Sequence, residues 1–151
     1  MRQMRGRPEV AGAPPPQEAA GGCREERRLN LTLPAEPAAV PAFRHRASQF
    51  AAEQGMDRDV VEDVALAVSE AVTNAVKYAK VADAEGVVEL SGTADGDWLE
   101  VRVRDRGEGF GKGSSDGLGL GLAIIARLCA DLKIVQEGDG TEVRMRFPLP
   151  A

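Results

Sequence analysis

Hydrophobic and polar residues alternate in several short stretches of this chain and recur at helical spacing in others. Leu29, Leu31 and Leu33 alternate with polar residues through LNLTLP (29–34), which predicts a strand. The stretch 38–54 is rich in alanine, lacks glycine and follows Pro37, with Pro41 near its start. It predicts a first helix that Gly55 ends. Asp57 is placed to cap a second, longer helix reaching Tyr78 or Ala79, with Val61, Val64, Val68, Val72, Ala75 and Ala79 as its apolar stripe. VVELSGT (87–93) and WLEVRVRD (98–105) read as strands around Ala94-Asp95-Gly96-Asp97, whose Asp-Gly pair is a hairpin signal. A loop from Gly107 to Gly117 leads to a third helix over 118–131. Strands at 132–137 and 141–149 then flank Glu137-Gly138-Asp139-Gly140. The order β-α-α-β-β-α-β-β, with neighbouring strands joined by hairpins, predicts an α+β fold. It is a two-layer sandwich with a mixed, largely antiparallel sheet and helices on one face.

Composition adds a boundary. Residues 1–27 are rich in Pro, Gly, Ala and Arg without periodicity and read as a disordered tail, leaving 28–151 as one domain. The net charge of −5 is uneven: residues 1–28 hold six Arg against four Glu, whereas the remainder is acidic. An acidic body in which aromatics make up only 4% argues against unaided binding to nucleic acid. No apolar run is long enough to cross a bilayer and no secretory signal opens the chain, so it reads as cytoplasmic. Cys23 and Cys129 match no metal-ligand spacing. A zinc site or a Ser-His-Asp triad would rest on the single histidine, His45, around which no HExxH or nucleophile-elbow pattern stands.

Candidate chemistry begins on the second helix. Glu70 and Asn74 lie four residues apart and share a face opposite the apolar stripe, together with Asp63 and Lys77. A solvated helix face would carry the same residues. The alternative gives Asn74 a purpose, because its carbonyl oxygen can ligate a hard cation and a neighbouring carboxylate can take a proton. In the strand 98–105, Leu99, Val101 and Val103 point one way and Asp105 continues that inward series. A carboxylate there either enters a pocket or begins the turn toward Gly107. Glycines follow at 107 and 109, and again at 117, 119 and 121 opening an apolar helix, where backbone N–H groups can approach a phosphate. Neither segment is a Walker A or a GxGxxG sequence.

Taken together, Glu70-x-x-x-Asn74, Asp105-x-Gly107-x-Gly109, Gly117-x-Gly119-x-Gly121 and Gly140-Thr141, in that order, resemble the four motifs of the GHKL ATPase superfamily with its Bergerat ATP-binding fold. The run VSEAVTNAVKYA (68–79) resembles the anti-sigma-factor serine kinases of the RsbW and SpoIIAB type, and the likeness extends over residues 29–149. It implies that Asn74 binds Mg²⁺, that Glu70 is the general base, and that Asp105 accepts the adenine amino group. Gly107 and Gly109 would line the base pocket, Gly117, Gly119 and Gly121 the phosphates, and Thr141 would lie beside the adenine. In the same way it implies a partner-binding arginine on the first helix, best matched by Arg44 with Arg46 beside it. The implied function is an ATP-dependent serine/threonine kinase that phosphorylates a STAS-type anti-anti-sigma protein and sequesters a sigma factor, as a homodimer. A non-catalytic ATP-binding regulator and a detached histidine-kinase catalytic domain are the alternatives.

Three features depart from the family pattern. Tyr78 stands where these proteins often carry histidine, and the tail is additional. The Gly107–Gly117 loop is short for an ATP lid, with Lys112, Ser114 and Ser115 available to the γ-phosphate.

Overall fold

A computed structural model describes residues 27–81, 86–106, 118–137 and 140–150. Five strands, β1 (Arg28–Pro34), β2 (Val87–Asp95), β3 (Trp98–Arg106), β4 (Asp131–Glu137) and β5 (Gly140–Pro148), form one sheet in the order β1-β2-β3-β5-β4. Every neighbouring pair is antiparallel, so the sheet expected to be mixed but largely antiparallel is antiparallel throughout the described residues. The reason is topological. The segment after β3 skips a position before β4, and β5 folds back into the gap.

Three helices, α1 (Ala39–Glu53), α2 (Arg58–Val81) and α3 (Leu118–Leu128), cover one face. Gly55 stops α1 as expected: its φ of 81° is a conformation that side-chain-bearing residues resist, and its N–H returns to the Ala52 carbonyl. Asp57 precedes α2, its carbonyl accepting from the Val61 N–H. The third helix ends at Leu128, short of the expected residue 131, because the Ala130 N–H is taken by the Arg146 carbonyl and draws the chain into β4. The β2–β3 turn tightens to Gly96-Asp97, with Gly96 at φ 61°. Arg27, assigned to the tail by composition, is tied to the sheet by hydrogen bonds in both directions with Ala94.

Strand period sets the two faces. Val88, Leu90, Leu99, Val101, Val103, Val143, Met145 and Phe147 are buried on the inner face beneath the helices. With so few aromatics available, Phe43 and Phe50 of α1 supply the largest side chains from the helical layer, and alanines line α2 where it meets its neighbours. The outer face carries charge in register: Glu100 lies opposite Arg146, Arg102 opposite Arg144, and Arg104 opposite Glu142. Arg102 pairs with Glu100 at 2.8 Å, Arg144 with Glu142, and Arg146 lies 5.4 Å over the Trp98 ring. These charges leave the open face solvated.

Candidate active site

The inward series of β3 and β5 ends in polar residues. Asp105 and Thr141 face each other across the two strands, and both are buried, at 7% and 1% exposure. Asp105 does not begin the turn: it is still in the ladder, with Arg106 paired to Gly140 beyond it. The Thr141 backbone N–H donates to Asp105 Oδ1 at 3.3 Å, while Asp105 Oδ2 is buried without a hydrogen-bond partner. Burial pushes the Asp105 carboxyl above its ordinary pKa, against the smaller lowering effects of the Thr141 N–H and the Arg104 charge. Such an oxygen, held at one end and unsatisfied at the other, can accept a hydrogen bond from a ligand. The strands can meet this closely only because residue 140 is glycine. A Cβ there would collide with the Asp105 backbone carbonyl oxygen.

Asn74 corrects the helical-face reading. Placed by spacing opposite the apolar stripe, it is instead 3% exposed, with Nδ2 buried and unpaired. Helix α2 packs against α1, α3 and the sheet, so a wide arc of it is buried rather than one stripe. Gly121 of α3 is the residue against Asn74: a Cβ built on it would lie 2.8 Å from Nδ2 and 3.2 Å from Oδ1. Glu70, one turn earlier on α2, is half-buried, and Lys77, one turn later, is exposed. The structure thus forms two buried pairs, Asp105 with Thr141 across β3 and β5, and Asn74 with Gly121 where α2 meets α3. Sequence spacing gave no sign of the second pair, although a glycine inside a helix is itself a signal of close approach.

The remaining candidates divide by position. Gly119 lies in the first turn of α3. Gly107, Gly109 and Gly117 lie outside the described residues, as do the lid side chains Lys112, Ser114 and Ser115. Arg44 is exposed on α1 and belongs to neither buried pair, while its neighbour Arg46 is half-buried with Nη1 unpartnered. Among the described residues no cluster of three or more His, Cys, Asp or Glu could hold a metal by itself. The donor set nevertheless fits Mg²⁺, which is commonly bound by one or two protein oxygens together with substrate phosphates. The Asn74 amide oxygen is of that kind. No helix of the described residues is long and apolar enough to cross a membrane.

The model of the histidine kinase-like ATPase domain matches residues 33–147. Over 76 residues the chain is 38% identical to the serine-protein kinase RsbW of Listeria monocytogenes serovar 1/2a, an overlap of 50% of this chain and 48% of that protein. It is 39% identical over 75 residues to the serine-protein kinase RsbW of Bacillus subtilis strain 168, covering 50% and 47%. The chain spans about half the length of the curated relatives it matches. Among solved structures it resembles that of the RsbU and RsbW domains of a Mycobacterium tuberculosis protein, with a TM-score of 0.65 and 26% identity, covering 82% of this chain and 33% of that one. It also resembles a chain of the SiaB–SiaC complex from Pseudomonas aeruginosa, with a TM-score of 0.61, covering 82% of this chain and 91% of that one. At 16% identity this second likeness concerns the fold alone.

Proposed function

The chain belongs to the histidine kinase-like ATPase domain family, and from that premise we propose that it binds ATP with Mg²⁺ and acts as a serine/threonine protein kinase and anti-sigma factor. The observation that carries the reading is the unpaired Oδ2 of Asp105 at the polar end of the inner face. In this role it accepts the adenine amino group beside Thr141. A hydrogen bond to a charged group is worth about 1.5–3 kcal/mol, enough to favour ATP over GTP, whose base presents a carbonyl at that position. Asn74 holds Mg²⁺, which when bound supplies charge neutralisation at the phosphates. Glu70 takes the proton from the hydroxyl of the protein substrate as that oxygen attacks the γ-phosphorus and the bond to the ADP oxygen breaks. Gly107 and Gly109 line the base pocket, and Gly117 and Gly119 contact the phosphates.

The protein substrate is a STAS-type anti-anti-sigma protein, and a sigma factor is held once that antagonist is phosphorylated. The similarity to RsbW kinases supports this choice. Arg44 on the exposed side of α1 contributes to the partner surface, and the working form is a cytoplasmic homodimer. Incubation with ATP, Mg²⁺ and a cognate STAS protein is expected to label that protein. The Glu70→Ala variant is expected to lose labelling by a factor of roughly 10²–10⁴ while still binding its partner. Unchanged labelling by this variant removes Glu70 as the base. ATP binding without any transfer in the wild type leaves a nucleotide-dependent binding protein instead of a kinase.

A further inference from the structure

Gly121 sits inside α3, where alanine would favour the helix more. What the structure shows at Gly121 is close approach to a neighbouring side chain. Gly121 is buried, and the methyl it lacks would fall 2.8 Å from Asn74 Nδ2, 3.2 Å from Oδ1 and 3.4 Å from Cγ, against the whole amide. The obstruction is the end of a side chain, not backbone, so an added methyl would move the Asn74 amide and leave the helices in place. Asn74 is 3% exposed and its Nδ2 has no partner to draw it back.

We propose that Gly121 is a positioning residue, whose missing side chain holds the Asn74 amide in the orientation that serves the metal–phosphate end of the site. This rests on the reading of the domain as an ATP–Mg²⁺ site, and it changes the role of Gly121 from phosphate contact to support of Asn74. Gly121→Ala should fold, with a melting temperature equal to or above that of the wild type. Its affinity for ATP in Mg²⁺ should fall roughly tenfold, the scale of one lost contact to a charged group, while its affinity in EDTA stays that of the wild type.

A double-mutant cycle with Asn74→Ala separates the two roles. If Gly121 acts through Asn74, then Gly121→Ala has no further effect once the amide is gone, because the methyl occupies the vacated space. A full second loss in the Asn74→Ala background would mean that Gly121 touches the phosphates itself, and would overturn the proposal. Nucleotide-free NMR supplies an independent readout. The chain has only two asparagines, Asn30 and Asn74, and the Asn74 side-chain amide resonances should shift in Gly121→Ala while those of Asn30 stay. Unshifted Asn74 resonances would overturn the proposal whether or not the wild type binds ATP. Failure of the wild type to bind ATP would remove the functional reading and leave the NMR comparison to decide the packing.

Discussion

The two ends of one sheet face are built on opposite terms. At the hairpin end Leu99 pairs with Phe147 and Ala94, and Phe50 of α1 lies on Gly92; these inward side chains are apolar and buried. Six residues further along β3, about 20 Å away, the same inward register brings Asp105 opposite Thr141. Here a carboxylate oxygen is buried without a partner, as is the Asn74 amide nitrogen where α2 meets α3. Each unsatisfied buried group costs about 1–3 kcal/mol. On the proposed function a ligand completes these groups, so that the hairpin end would contribute stability and the polar end recognition.

Variants that act on one end only can break this division. The largest effect belongs to Phe50→Ala, expected to cost about 3–5 kcal/mol in urea unfolding, with nucleotide affinity unchanged for the molecules that remain folded. A cost below about 1 kcal/mol would show that the hairpin end is not the stabilising core. Gly140→Ala stands at the boundary. The new methyl meets the Asp105 backbone carbonyl oxygen, so β5 must shift. A loss of about 1–3 kcal/mol is expected, together with lost ATP binding as the Thr141–Asp105 bond is displaced; full stability would contradict the close approach.

Asp105→Asn should have the smallest effect on stability and a clear effect on function. Removing a buried charge near neutral pH leaves unfolding unchanged or raises stability by about 1 kcal/mol, while ATP affinity falls about tenfold or more. The sign extends to pH. Because burial raises the Asp105 pKa, the folded protein holds this proton more tightly than the unfolded chain. Its contribution to stability is complete below the ordinary carboxylate value and disappears as pH rises through the raised one. Any stability advantage of Asp105→Asn over the wild type should therefore shrink as pH falls; an advantage that stays constant or grows on acidification would mean the carboxyl is not desolvated.

How far the sequence reached follows from what each pattern encodes. Strand alternation has a period of two, so the inward positions of Asp105 and Thr141 could be counted along β3 and β5, although β5 is buried on both faces from Gly140 to Val143. The Asp-Gly signal located the β2–β3 turn, and Gly55 its helix end. Asn74 was misplaced because helical periodicity reports an average apolar direction, not how many neighbours surround a helix; α3 arrives from a part of the chain more than forty residues away. The wholly antiparallel sheet depended on β5 entering between β3 and β4, a long-range choice that no local window contains. The roles of Gly121 and Gly140 are distances between elements, invisible to spacing. Gly107, Gly109 and Gly117 remain readings of the family pattern, since they lie outside the described residues.

Calorimetric titration of the wild-type protein with ATP and with GTP, each with Mg²⁺, tests most directly whether the polar end of the inner face is a nucleotide site read by Asp105. ATP should bind at least about tenfold more tightly than GTP, as one hydrogen bond to a charged acceptor requires. Equal affinity for the two nucleotides, or no affinity for either, would contradict the account.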